Sequence, residues 1–217
     1  MQNYMISFVR NWFKTTKKHT QYWQNRIMDW DKDYLSSWNH PHRQFLSILL
    51  TRFPWMSLLE VGCASGPNLL NIVKNFQGKQ VGGIDISEDA IDLAKKTFQG
   101  AFLKVGSVED IMMSDNSTDV VLSDMALIYV SNPNKAIKEI KRVTRKYVLF
   151  SELHSESWYG RMRLRLTSGY HAHNYKKLLT KHGFYNLEFI KMTEKMWPGG
   201  NPQKDYGYFI LGQKSKY

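Results

Sequence analysis

The chain has 217 residues, of which 42% are hydrophobic and 14% aromatic, so it can bury a sizeable core and is not a disordered polymer. It contains one cysteine, Cys63, which excludes a disulfide framework and predicts a reducing, cytoplasmic location. The net charge of +11 favours acidic partners, although solvated lysines on helix faces account for it equally well. No apolar run reaches the length expected of a membrane span or a signal peptide.

Residues 1–45 differ in composition from the rest of the chain. They hold four of the seven tryptophans, interspersed with arginine and lysine. The pattern predicts one or two helices, followed by a break at Asn39-His40-Pro41. We expect them to pack on the following domain, residues 46–217, as a helical cap or lid over a pocket. A helix lying on a membrane surface is less favoured, because residues 1–20 contain few large aliphatic side chains.

The next segment, Leu58–Leu69, reads as an apolar strand, the acid Glu60, a glycine turn and the start of a helix. A second apolar strand follows and ends at Asp85. Glycine lacks a Cβ atom and tolerates positive φ, so such a turn lets a ligand approach the bare backbone. An acid at the end of the second strand can accept hydrogen bonds from a ribose. These features predict a site for a cofactor that contains a nucleoside.

Five apolar runs, at 58–61, 81–86, 101–105, 119–122 and 147–150, alternate with helical stretches. This alternation predicts an α/β fold with a doubly wound, mostly parallel sheet. Ligands bind beyond the carboxyl ends of the strands in such sheets. Polar residues fall at or near these ends and predict one shared site: Glu60, Asp85, Ser107, Asp124 and Glu152.

The spacing Glu60-x-Gly62-x-Ala64-x-Gly66 resembles the first motif of the class I S-adenosylmethionine (SAM)-dependent methyltransferases, with Ala64 replacing the middle glycine. Pro67 is a poor match to the small residue that a dinucleotide motif requires there. We expect the methyl group of Ala64 to be tolerated if φ is negative there. The resemblance extends in order over roughly residues 56–214. It implies a seven-stranded sheet that ends in an antiparallel pair, with strands at 185–192 and 206–214.

The resemblance also implies roles for individual residues. Glu60 would orient the turn and the methionyl amine, Asp85 would bind the ribose, and Arg43 could pair with the methionyl carboxylate. The remaining cofactor positions implied are Gly62, Ala64 and Gly66 in the turn, Ile86, Ser107 and Val108 around the adenine, and Ser123 and Asp124 near the sulfonium.

Six residues are candidates for the acceptor side: Tyr129, which follows the fourth strand, Glu152, His154, Tyr170, His171 and His173. Of these, Tyr129 and the three histidines are the candidate catalytic residues, and each histidine is a candidate general base. The three histidines could bind a metal, but no carboxylate partner accompanies them, and we expect none. The leading hypothesis is methyl transfer to an oxygen or nitrogen of a small, anionic metabolite or glycan precursor. An RNA or protein methyltransferase and a non-catalytic SAM-binding module are the alternatives, and the RNA reading draws on the basic charge.

Overall fold

The computed structural model describes residues 16–215, so the part of the predicted cap that falls on residues 1–15 lies outside the described residues. Seven strands form one sheet in the order β3-β2-β1-β4-β5-β7-β6. Their bounds are β1 Ser57–Val61, β2 Gln80–Asp85, β3 Phe102–Val105, β4 Thr118–Asp124, β5 Thr144–Leu153, β6 Phe184–Lys191 and β7 Gly207–Lys214. Strands β1 to β5 are parallel, and β7 is antiparallel to both of its neighbours. The predicted sheet and its antiparallel terminal pair are confirmed.

Helices precede the sheet and connect its strands. Their bounds are α1 Thr16–Gln24, α2 Trp30–Asp33, α3 Pro41–Leu50, α4 Pro67–Asn75, α5 Glu88–Thr97, α6 Asn134–Val143, α7 Trp158–Ser168, α8 Tyr175–Lys181 and α9 Gln203–Tyr206, with 3₁₀ turns at Leu35–Asn39 and Leu127–Tyr129. The Ser87 hydroxyl caps α5, and the Asn174 side chain caps α8. Gly169 ends α7 with φ of 80°. Local capping therefore accounts for several helix ends.

The core lies on both faces of the sheet. Val120 and Leu122 of β4 face one hydrophobic layer, which includes Ile72 of α4. Val121, between them, faces the opposite layer, which includes Ile137 of α6. Successive side chains of a strand point to opposite faces, so a central strand covered on both sides is apolar throughout.

The strand order places the functional residues. β1 lies between β2 and β4, and Val61 is in register with both Ile84 and Ser123. The residues that follow these three positions therefore meet at one edge of the sheet, where the strand order reverses. Among the described residues, no helix is both long and apolar enough to span a membrane.

Candidate functional site

The turn after β1 requires its two outer glycines. Gly62 has φ of 73° and Gly66 has φ of 88°. A Cβ atom at Gly62 would overlap the Cβ of Ala126, and one at Gly66 would overlap the Phe98 ring. Both positions therefore need glycine for conformation and for space.

Ala64, between these glycines, does not meet the condition under which its methyl group is easily tolerated. That condition is a negative φ, but φ is 48°, in the left-handed region that a side chain disfavours. The Ala64 N–H donates to Oδ2 of Asp85 at 2.8 Å, which helps to hold this conformation. The turn is thus fixed by a carboxylate of the next strand.

Asp85 joins the turn after β1 to the end of β2. Its second oxygen, Oδ1, accepts a hydrogen bond from the Ser87 N–H at 2.9 Å. Burial raises the pKa of Asp85, while these backbone donors act in the opposite direction. Asp85 and Ile86 both line a cavity of about 300 Å³ that also borders Gly62 and Ala64.

Asp124, at the end of β4, is the centre of a buried polar cluster. Its Oδ2 accepts hydrogen bonds from His42 Nε2 at 2.9 Å, Arg43 Nη1 at 2.9 Å and Asn68 Nδ2 at 3.0 Å. Burial raises its pKa, but His42 and Arg43 outweigh burial and hold the pKa well below its usual range. Its other oxygen, Oδ1, is buried and has no hydrogen-bond partner among residues 16–215. Asp124 lines the cavity as an anion.

Arg43 and Glu60 lie on either side of Asn68 in this cluster. Arg43 Nη1 donates to Asn68 Oδ1 at 2.8 Å, and Asn68 Nδ2 donates to Glu60 Oε1 at 2.6 Å. Arg43 borders the cavity, yet Asp124 already neutralises its guanidinium. Glu60 is 1% exposed and lies behind the cavity wall, and burial raises its pKa to about 8. Arg43 is therefore already paired, and Glu60 acts through Asn68.

The loop after β3 forms another part of the wall, through residues 106–109. The Ser107 hydroxyl oxygen accepts a hydrogen bond from the Glu109 N–H at 3.1 Å. Ser107 thus shapes its own loop, and it borders the cavity together with Val108.

Ser123 and Glu152 lie beneath the loop after β4. The Ser123 hydroxyl donates to Glu152 Oε1 at 2.7 Å, and the Ala126 and Leu127 N–H groups donate to the same oxygen at 3.0 Å each. Burial raises the pKa of Glu152 to about 8, so the carboxyl carries its proton at pH 7. Glu152 positions the loop, and Ser123 supports it from below rather than lining the cavity.

The cap side of the cavity is aromatic. His19 and Trp23 of α1 lie 5.2 Å and 5.3 Å, between ring centroids, from Tyr129. Tyr129 in turn lies 5.7 Å from Tyr170. Trp30 of α2 completes this side and is 6% exposed. The described residues of α1 and α2 thus contribute rings to this side of the cavity wall.

Tyr129 is the one predicted catalytic residue that the structure brings to the cavity wall. Burial raises the pKa of its hydroxyl well above the usual value, with a smaller contribution from Tyr170. Tyr129 therefore keeps its proton at neutral pH and can donate a hydrogen bond.

The three predicted histidines lie outside the wall. His154 Nδ1 accepts a hydrogen bond from the Tyr175 N–H at 3.2 Å, and His173 Nε2 donates to the Leu127 carbonyl at 3.1 Å. Burial lowers the pKa of His173 to about 4 and that of His171 to about 3. Their surroundings favour neutral, structural imidazoles. Within residues 16–215, no group of three or more His, Cys, Asp or Glu is arranged to hold a metal.

Sequence reasoning missed His42, Asn68 and Trp197. His42 stacks on Trp197 with 3.9 Å between ring centroids, and Trp197 borders the cavity. The signal for Asn68 was available, since it is a polar residue in the first turn of a helix that follows the glycine turn. His42 and Trp197 are far apart in the sequence, and no local pattern joins them.

Comparison with known proteins agrees with this geometry. A family described as a methyltransferase domain matches residues 59–150. An uncharacterized methyltransferase of Schizosaccharomyces pombe is 26% identical over 99 residues, which are 41% of this chain and 36% of that protein. A malonyl-[acyl-carrier protein] O-methyltransferase of Serratia marcescens is 28% identical over 102 residues, covering 46% of this chain and 39% of that protein. The chain thus spans less than half the length of these curated relatives.

A crystal structure from Thermotoga maritima, described as a SAM-dependent methyltransferase and possible histamine N-methyltransferase, shares the fold. Its TM-score is 0.60 at 18% identity, and the match covers 94% of this chain and 100% of that one. At this identity the likeness concerns the fold alone.

Proposed function

We propose that this chain is a class I SAM-dependent methyltransferase that transfers the methyl group of SAM to an oxygen or nitrogen atom of a small molecule. The methyltransferase-domain match to residues 59–150 and the shared fold support the proposal. The observation that carries this proposal is the glycine turn after β1, which borders one cavity through Gly62 and Ala64, together with Asp85 and Asp124.

The residues present fit the cofactor. The turn borders the cavity through Gly62 and Ala64, residues with no side chain or a single methyl group, and Asp85, at the end of β2, borders the same space. Asp124 borders the cavity as an anion, and its negative charge suits a cationic ligand. When bound, SAM supplies an electrophilic methyl group on a sulfonium.

The chain's own contribution would be to align the acceptor and exclude water. Positioning of this kind can contribute about 7–11 kcal/mol in favourable cases. Tyr129 keeps its proton and Asp124 is held as an anion, so neither has the pKa near 7 that suits a general base. The geometry therefore favours catalysis by positioning.

A small acceptor fits a cavity of about 300 Å³ that is covered by cap residues. The sequence predicted an anionic acceptor from the net charge of +11. The cationic side chain in the wall, Arg43, is already paired with Asp124. Negative charge on the acceptor therefore stays a prediction that rests on the basic surface.

Calorimetric titration of SAM tests the cofactor half of the proposal. We expect binding by the wild type and at least thirtyfold weaker binding by Asp85→Ala, because this variant frees the Ala64 N–H and removes the acid at the end of β2. Asp92→Ala is the matched control, since its side chain on α5 is 56% exposed, and we expect unchanged affinity. Equal, negligible binding by all three proteins would refute the proposal.

Radiolabelled SAM with a fractionated cell extract tests the acceptor half. We expect label in the small-molecule fraction. Label in RNA, with steep salt dependence, would support the nucleic-acid alternative. Intact SAM binding with no labelled fraction would support a non-catalytic binding module.

A further inference from the structure

Among the described residues, one end of the cavity has no Asp, Glu, Lys or Arg in its wall. We call it the acceptor end and define it by six residues: His19, Trp23, Ile128, Tyr129, Val130 and Tyr170. The charged lining residues, Arg43, Asp85, Glu109 and Asp124, all belong to α3 or to the strand ends and loops of the sheet. The turn and Asp85 make the sheet side the cofactor end.

The acceptor end has flat walls. Trp23 and Tyr129 lie 5.3 Å apart between centroids at 68°, and Tyr129 and Tyr170 lie 5.7 Å apart at 86°. Edge-to-face neighbours of this kind present ring faces and edges to a ligand, and aromatic pairs favour a further ring at similar distances. The walls therefore suit a planar guest.

An unsatisfied donor points to a second property of the guest. Trp23 Nε1 is buried and has no hydrogen-bond partner among the described residues. Leaving a buried donor unpaired destabilises the fold, so a ligand that supplies an acceptor atom recovers free energy. The Arg26 guanidinium lies 4.9 Å from the Trp23 ring centroid, and its positive charge strengthens the indole N–H as a donor.

We propose that the acceptor end binds a planar, conjugated small molecule such as a phenol or an N-heteroarene, with the Trp23 N–H donating to an oxygen or nitrogen on its rim. This inference rests on the proposed function, because it takes the cofactor end as the source of the methyl group. A lone pair of the acceptor forms the new bond to the methyl carbon while the carbon–sulfur bond breaks. That bond's electron pair stays on sulfur. A phenol then loses its hydroxyl proton to water, whereas an N-heteroarene without an N–H keeps the positive charge as an N-methyl cation.

A quaternary ammonium ion is the main competing guest, since aromatic rings also bind cations. It has no lone pair, however, and would leave the Trp23 N–H unsatisfied. The indole donor therefore favours a conjugated acceptor over a cationic one.

The test measures binding by calorimetry to the full chain saturated with S-adenosylhomocysteine. The probes are 2-naphthol, its saturated analogue decahydro-2-naphthol, naphthalene and tetramethylammonium. We expect 2-naphthol to bind at least tenfold more tightly than decahydro-2-naphthol or tetramethylammonium. Equal affinities, tighter binding of either competing probe, or no detectable binding of 2-naphthol would overturn the inference.

Two variants distinguish the contribution of the Trp23 ring to binding from that of its N–H donor. Trp23→Phe keeps a ring, and we expect it to weaken 2-naphthol binding about five- to tenfold, the value of one hydrogen bond, while naphthalene binding changes less than twofold. Trp23→Leu removes the ring and the donor together, so it should weaken the binding of both 2-naphthol and naphthalene. Trp158→Phe is the control, because Trp158 is 66% exposed and lies outside the cavity wall, and it should change neither.

SAM titration of each variant distinguishes failure of the proposed function from failure of this inference. If the wild type does not bind SAM, the proposed function fails. If every variant binds SAM as the wild type does, but Trp23→Phe weakens 2-naphthol and naphthalene equally or not at all, the function stands and this inference is wrong.

Discussion

The two ends of the cavity are stabilised in different ways. At the cofactor end, directional hydrogen bonds hold the backbone, as between Asp85 and the N–H groups of Ala64 and Ser87. At the acceptor end, rings from α1 and the loops after β4 and α7 pack against one another. A hydrogen-bonded turn tolerates little change in geometry. Substitutions in an aromatic wall can instead alter which ligand binds while the protein stays folded. Substitutions should therefore reduce SAM binding at one end and change acceptor choice at the other.

The largest expected effect is at Asp124. Asp124→Asn leaves Arg43 buried without its counter-ion, which we expect to lower the free energy of unfolding by about 3–5 kcal/mol. Urea denaturation measures this loss. Asp119→Asn, at the opposite end of β4, is the matched control, because its partners Arg145 and Lys146 are nearly half exposed. We expect less than half the loss there, and equal losses would contradict a special role for the cluster at the cofactor end.

Gly62→Ala should have the next largest effect. It adds the cost of a positive φ and an overlap with Ala126, together about 2–4 kcal/mol, and should weaken SAM binding at least thirtyfold. Gly78→Ala is an unusually close control, since Gly78 has the same φ of 73° but no neighbour within 4 Å of the added atom. Urea denaturation gives the free energy of unfolding of both variants, and the difference between their losses measures the cost of the overlap with Ala126. Identical losses of unfolding free energy would mean that the close approach of the turn after β1 to the loop after β4 is not required.

Glu152 lies between the two ends, and its protonation gives a pH prediction. Its pKa is raised from the usual 4.5 to about 8, so the folded state binds a proton that the unfolded state has lost. The free energy of unfolding of the wild type relative to Glu152→Gln should therefore fall as pH rises from 4.5 to 8, by up to about 1.4 kcal/mol per pH unit, and level off above pH 8. Denaturation of both proteins across this range checks the slope. A constant difference would show that Glu152 is ionised in the fold.

The smallest expected effect is in the cap. Arg26→Ala removes the cation over Trp23 and should lower the free energy of unfolding by about 0.5–1 kcal/mol, with less than a threefold change in 2-naphthol affinity and none in SAM affinity. Lys74→Ala removes a similar contact, 4.6 Å from the Trp38 ring centroid, away from the acceptor end. It should cost similar stability and leave the binding of both ligands unchanged. A loss of SAM binding in Arg26→Ala would mean that the two ends are not separable.

Much of the cofactor end could be predicted from the sequence. Glycine spacing, the acid at the end of β2 and the alternation of strands with helices are local features, and each restricts the backbone where it occurs. The positive φ of Ala64 could not be read from the sequence. The Ala64 N–H donates to Asp85, on another strand, and this hydrogen bond stabilises a conformation that alanine alone disfavours.

The acceptor end could not be predicted in the same way. His154, His171 and His173 carry the right chemistry, yet packing places them outside the wall, while His42 joins Asp124 without a sequence signal. The sequence by itself determined the parallel sheet, the bare turn and the acid beside it, because neighbouring residues decide hydrogen bonding and backbone freedom. Only the tertiary structure decided which ring, histidine or carboxylate borders the cavity, because burial and partners come from segments that meet only when the chain folds.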